Sequence, residues 1–163
     1  MVSHRQLSLL TVIFLLMSAC AESTPPPSAI EQLADEYLEA WMEEDSLMGT
    51  YYAIEGSRHD RLPDNSLAGL AAWQEKEDAW LSRLDSIPAP TEIGSRDWVT
   101  HGLLKEQLES AVSTRICRDE LWAASTTTSW HTWIPFVFDI QPLDTPELRA
   151  QALTRFAGMP TYI

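Results

Sequence analysis

From Ile30 to Met42 the apolar residues fall at Ile30, Leu33, Ala34, Tyr37, Leu38, Trp41 and Met42, a spacing of three and four that an α-helix gathers onto one face. Ser28-Ala29-Ile30-Glu31 has the Ser-x-x-Glu form of a capping box, so the start of the helix is written beside its apolar stripe. Glu31, Asp35, Glu36, Glu39 and Glu43 fall largely on the remaining surface. A second apolar group, Leu47, Met48, Tyr51, Tyr52 and Ile54, continues after a break near Asp45-Ser46, and Gly56 ends it.

Similar signals recur downstream. Ser66 can cap a helix that reads through Leu67, Leu70, Ala71, Trp73, Trp80, Leu81 and Leu84 and stops before Pro88-Ala89-Pro90. A third starts at Ser95 and uses Trp98, Leu104, Leu108, Ala111, Val112 and Cys117. From Glu120 the period is lost, and Thr126 to Ser129 lead into the aromatic and β-branched run Trp130 to Phe138, which reads as a buried irregular segment or a short strand. Thr145 as N-cap, Pro146 at the first position and Glu147 next signal a last helix, with Leu148, Leu153 and Phe156 on one face and Gly158 and Pro160 ending it. The expected fold is all-α: a helical bundle of about four to five helices, with one irregular or short-strand segment near 120–144.

The first twenty residues are of another kind. His4 and Arg5 make a short positive start, an apolar stretch runs from Leu7 to Met17, and Met17-Ser18-Ala19 places small residues before Cys20. A stretch of about 11 residues is too short to cross a bilayer, which takes roughly 20. Residues 1–19 therefore read as a secretion signal, and the site resembles the lipobox of bacterial lipoproteins, in which the cysteine sulfur carries a diacylglycerol. An ordinary cleaved signal peptide is the competing reading. Residues 20–29, with Ser23-Thr24-Pro25-Pro26-Pro27-Ser28, have the composition of an extended tether. Ala21 after the cysteine resembles an outer-membrane address, so the expected partner is a lipid bilayer gripped through acylated Cys20, and the expected place is the cell envelope, at the outer membrane facing the periplasm.

Removing residues 1–19 takes one of 11 basic residues and no acid, leaving ten against 24, a formal charge of −14. Nucleic acid is a poor partner for such a chain, since binding it depends on neutralising phosphates with Lys and Arg. With 45% apolar residues the acidity belongs to a globular body rather than a disordered tail. If Cys20 is a thioether, Cys117 is a lone thiol, expected to be buried and unreactive.

Chemistry-bearing patterns are few. His4, His59, His101 and His131 show no close spacing, and no H-E-x-x-H motif sets two imidazoles and a general base on one helix face. His101 and His131 read as packing or hydrogen-bonding residues. Asp35, Glu36, Glu39, Glu43, Glu44 and Asp45 read as a solvated face rather than a cation site. There is no Gly-rich phosphate loop and no G-x-S-x-G turn. Hence no catalytic and no metal-binding residue is expected here. Trp130 and Trp133, with His131 between them, are weak binding candidates: exposed tryptophans stack on sugars or peptides, although core aromatics are the commoner explanation.

Several segments taken together resemble one bacterial family. They are Tyr37-Leu38-Glu39-Ala40-Trp41, Thr50 to Gly56, Asp60 to Ser66, Leu121 to Ser125 with Trp130, Ile140-Gln141-Pro142-Leu143, and Thr145 to Leu153 followed by Met159 to Ile163. Their order and spacing are similar to the opening of the family called "domain of unknown function 885". The resemblance implies a secreted or lipid-anchored, largely helical protein, several times longer than this chain and grouped with zinc metallopeptidases of the gluzincin type. Residues 30–163 would then be the N-terminal helical part of an incomplete domain. Zinc and a peptide substrate would belong to the full-length protein, since no residue here matches the metal motif. The alternative is a small, complete envelope lipoprotein that acts as a binding or assembly module.

Overall fold

Ser28 opens the first helix because its side chain and that of Glu31 satisfy each other's backbone: the Glu31 amide donates to Ser28 Oγ at 3.1 Å, and the Ser28 amide to Glu31 Oε2 at 2.9 Å. Helix α1 then runs Ala29–Glu44. The computed structural model describes residues 26–121, 126 and 129–162, except for the side chains of Trp130, Thr161 and Tyr162. The signal peptide, Cys20 and most of the tether lie outside the described residues.

Asp45 both closes α1 and opens α2 (Ser46–Tyr51): its amide donates to the Trp41 carbonyl, and its carboxylate accepts from the Met48 amide at 3.2 Å. The break expected at Asp45-Ser46 is this double cap. Helix α3 (Leu67–Ser86) is capped by Ser66 and α4 (Arg96–Thr114) by Ser95, as the sequence signals predict. Two short 3-10 turns follow, Arg115–Cys117 and Asp119–Leu121.

Helices α1, α3 and α4 pack on one another. Leu33, Trp80, Leu84, Leu104 and Leu108 form the centre, closed by Ala34, Tyr37, Ala40, Trp73, Leu81 and Ile87. Leu84 and Leu108 are completely buried; burying a leucine side chain contributes about 1.5–3 kcal/mol. Polar contacts fix the relative positions of the helices. Ser28 Oγ donates to Asp97 Oδ1 at 2.8 Å, which ties the start of α1 to that of α4. Arg83 grips Glu36 with both terminal nitrogens, at 2.5 and 2.8 Å, while Trp80 Nε1 donates to the same carboxylate at 3.0 Å.

The second part comprises α5 (Trp130–Ile140), α6 (Pro146–Ala157) and the short α7 (Met159–Tyr162). The all-α reading holds among the described residues, but the irregular or strand reading of the run after Trp130 does not: Trp130 to Ile140 is helical, with Pro135 inside it. Trp130, Trp133, Ile134, Val137 and Phe138 follow the i, i+3, i+4, i+7, i+8 rule, and Ile134 and Val137 are buried. Burial of Ile134 and Val137 outweighs the β preference of the aromatic and branched residues and the cost of an interior proline.

Two further expectations need correction. The buried face of α6 holds Ala152 and Arg155, whereas Leu153 and Phe156 are exposed. A basic residue occupies the inward stripe, so hydrophobicity alone pointed to the wrong face. Cys117, expected to be buried, is exposed, because it sits in a 3-10 turn beyond the end of α4.

Candidate binding site

Arg155 has no accessible surface at all. A guanidinium offers five N–H donors, and here each has an acceptor. Nε donates to the Arg61 carbonyl at 2.8 Å. Nη1 donates to Thr50 Oγ1 at 2.9 Å and Gln141 Oε1 at 3.1 Å, and Nη2 to the carbonyls of Ser46 at 3.2 Å and Arg58 at 3.0 Å. Burial pushes its pKa down to about 10, against the opposing charges of Asp60 and Asp45. A cation that has committed every proton internally has none left for a substrate, so its role is to hold backbone.

What it holds is the segment 58–61 and the helix α2. Ser46 Oγ donates to the Arg61 carbonyl at 2.7 Å, Gln141 Nε2 to the His59 carbonyl at 3.2 Å, and the His59 amide to Gln151 Oε1 at 3.0 Å. Thr50 Oγ1 donates to the Ser46 carbonyl at 3.1 Å, accepts from Arg155, and lies 2.8 Å from His59 Nδ1. With one hydroxyl proton, Thr50 makes all three contacts at once only if His59 Nδ1 carries the imidazole proton. Burial, followed by the Arg155 charge, pushes the His59 pKa down and favours the neutral ring. Gly49 permits the close fit, because a Cβ there would meet Ser57 Oγ at 2.7 Å.

The opposite side of α2 faces outward. Tyr51 lies 4.9 Å from Tyr52, 5.1 Å from Trp133 and 5.9 Å from Phe136, ring centre to ring centre, and Trp133 lies 5.6 Å from Phe136. Tyr51 is 41% exposed, Tyr52 59% and Phe136 43%. These rings form an aromatic shelf carried on the arginine-centred node. Exposed Glu55 follows it in the chain, and exposed Asp139 lies one turn beyond Phe136. The arginines of this half are engaged internally: Arg58 with Asp60, Arg61 with Glu43, Arg149 with the Leu143 carbonyl, and Arg155 as described.

Of the sequence candidates, Trp133 belongs to the shelf. His131 is exposed on α5 but two residues away, and positions i and i+2 do not share a helix face. The Trp130 side chain lies outside the described residues. Tyr51, Tyr52 and Phe136 were missed as site residues; the helical spacing of Trp133 and Phe136 was the available signal.

A second, smaller feature lies between α3 and α4. Glu77, itself buried, accepts from Trp73 Nε1 at 2.8 Å and Arg115 Nη2 at 3.0 Å, beside an open cleft of about 200 Å3 that also includes Leu70, Ala111, Thr114 and Glu120. Ligand pockets usually run from about 300 Å3 upward. Among the described residues no group of three or more His, Cys, Asp or Glu is placed to hold a metal ion. Nor is any helix among them long and apolar enough to cross a membrane.

A family model described as "Bacterial protein of unknown function (DUF885)" matches residues 44–163. No curated protein and no solved structure matches the chain.

Proposed function

This chain belongs to the bacterial family DUF885, and we propose that its helices form a lipid-anchored, non-catalytic wall that presents an aromatic surface to a peptide at the cell envelope. The observation that carries this reading is the division of labour around α2. On its inward side the Thr50 hydroxyl and the Ser46 carbonyl accept from Arg155, while Tyr51 and the adjoining Tyr52 stay exposed. Such a surface binds or packs but does not cleave. Cys20 would fasten it to the membrane through a diacylglycerol thioether, with residues 20–29 as the tether, at the outer membrane facing the periplasm. In the complete protein a zinc-dependent peptidase centre would be built from residues other than these.

The reading is tested by assaying the purified full chain for peptide hydrolysis and for stoichiometric zinc. Neither is expected, and turnover or tight zinc binding by this chain alone would overturn it. The anchor is tested separately by mass spectrometry of the Cys20 peptide from envelope fractions. A diacylglycerol adduct lost in Cys20→Ser is the expected result; an unmodified cysteine, or cleavage elsewhere, refutes the lipoprotein assignment.

A further inference from the structure

We infer that the aromatic shelf selects a cationic peptide segment, one that carries Lys or Arg next to an apolar side chain. This rests on the reading of the shelf as a peptide-facing surface and adds to it the chemistry of the occupant. Tyr and Trp rings attract cations through their faces, and here Tyr51, Tyr52, Trp133 and Phe136 are clustered and partly open. Asp139 is exposed on the same helix as Phe136, three residues on and so its neighbour on the helix surface, and Glu55 is exposed three residues after Tyr52 in the chain, while Arg58 and Arg61 are paired with Asp60 and Glu43. A cation arriving at the shelf therefore meets open ring faces on a chain of strongly negative net charge.

Two other occupants fit less well. A second copy of this chain would bring its own charge of −14 against the first, and self-repulsion opposes that contact. A lipid surface fits the geometry poorly. The chain enters α1 at Ala29, and α2 follows the other end, 16 residues on; at 1.5 Å per residue the shelf lies about 24 Å from the tethered end.

The test uses the purified full chain and three fluorescent peptides of the same apolar framework, bearing two Lys, two Gln or two Glu. The Lys peptide should bind roughly tenfold more tightly than the Gln peptide, and the Glu peptide more weakly than either. Raising the salt should narrow the gap. Glu55→Gln with Asp139→Asn, both exposed and conservative, should remove most of the charge preference, and Tyr52→Ser with Phe136→Ser should remove binding, with circular dichroism confirming the fold of each. Equal binding of Lys and Gln peptides overturns the charge inference but leaves the shelf as a peptide surface. Absence of binding by all three overturns both. Lys-peptide binding that survives loss of the two rings, a shelf-dependent dimer in sedimentation, or adhesion to zwitterionic vesicles that the ring variants abolish would each overturn the inference as well.

Discussion

Arg155 donates from Nη1 to the hydroxyl of Thr50 at 2.9 Å, across 105 residues of chain. That bond joins α6 to α2, so the second half of the structure closes on a buried polar contact as much as on an apolar one. Arg155→Leu would take a donor from three carbonyls, leaving Ser46 with the Thr50 hydroxyl, Arg61 with the Ser46 hydroxyl, and Arg58 without the guanidinium that bonds it. A loss of about 1–3 kcal/mol is expected, the cost of leaving a buried acceptor unsatisfied. Arg155→Lys, with three donors and no planar fork, should fall between. Urea midpoints of the three proteins check this, and equal midpoints for wild type and Arg155→Leu would show the node to be dispensable.

Ser28 serves two helices: its hydroxyl accepts from the Glu31 amide and donates to Asp97. Ser28→Ala should cost about 1–2 kcal/mol, at the upper end for an N-cap. Ser28→Thr should recover most of it. Thermal melts of the pair decide whether the hydroxyl matters.

Asp45 caps α2 from a largely buried position, and burial pushes its carboxyl pKa up against the lowering by the Met48 and Leu47 amides. Ionisation is therefore unfavourable where the cap itself is favourable. Asp45→Asn keeps an acceptor without the charge and should be neutral or stabilising at pH 7. Asp45→Ala loses the acceptor and should cost about 1 kcal/mol. If Asn and Ala destabilise equally, the charge rather than the hydrogen bond is what counts.

His59 titrates below its ordinary value because it is partly buried and faces Arg155, with Asp60 opposing. Its neighbours Thr50, Gln141 and Gln151 are uncharged contacts. A histidine with a depressed folded pKa binds fewer protons folded than unfolded. Its contribution to stability is thus complete above about pH 6.5, the unfolded value, and is lost as pH falls through the folded value. Stability should drop from pH 7 to pH 5.5 more steeply in wild type than in His59→Gln. Parallel slopes in urea titrations at the two pH values would exclude His59 as the source.

The caps were legible in advance. Ser28, Ser66, Ser95 and Thr145 each accept from an amide three residues on, a contact that depends on neighbours in sequence alone. Ile30 and Leu33 of α1, Trp80 and Leu84 of α3, and Leu104 and Leu108 of α4 were legible for the same reason, since their period is a local property, whereas Leu38, Leu67 and Trp98, read into the same stripes, are exposed. The helix at Trp130 was not, because β-branched and aromatic residues, together with Pro135, spoke locally against it.

The sequence by itself determined the all-α class, the start of each capped helix, the acidity and the family. Tertiary structure alone decided that Arg155 points inward, that Leu153 and Phe156 do not, and that Tyr51 meets Trp133. The physical reason is range. A cap or a helical period is satisfied within one or two turns. A guanidinium is buried only when distant segments supply five acceptors together, and no stretch of chain read in isolation shows them converging.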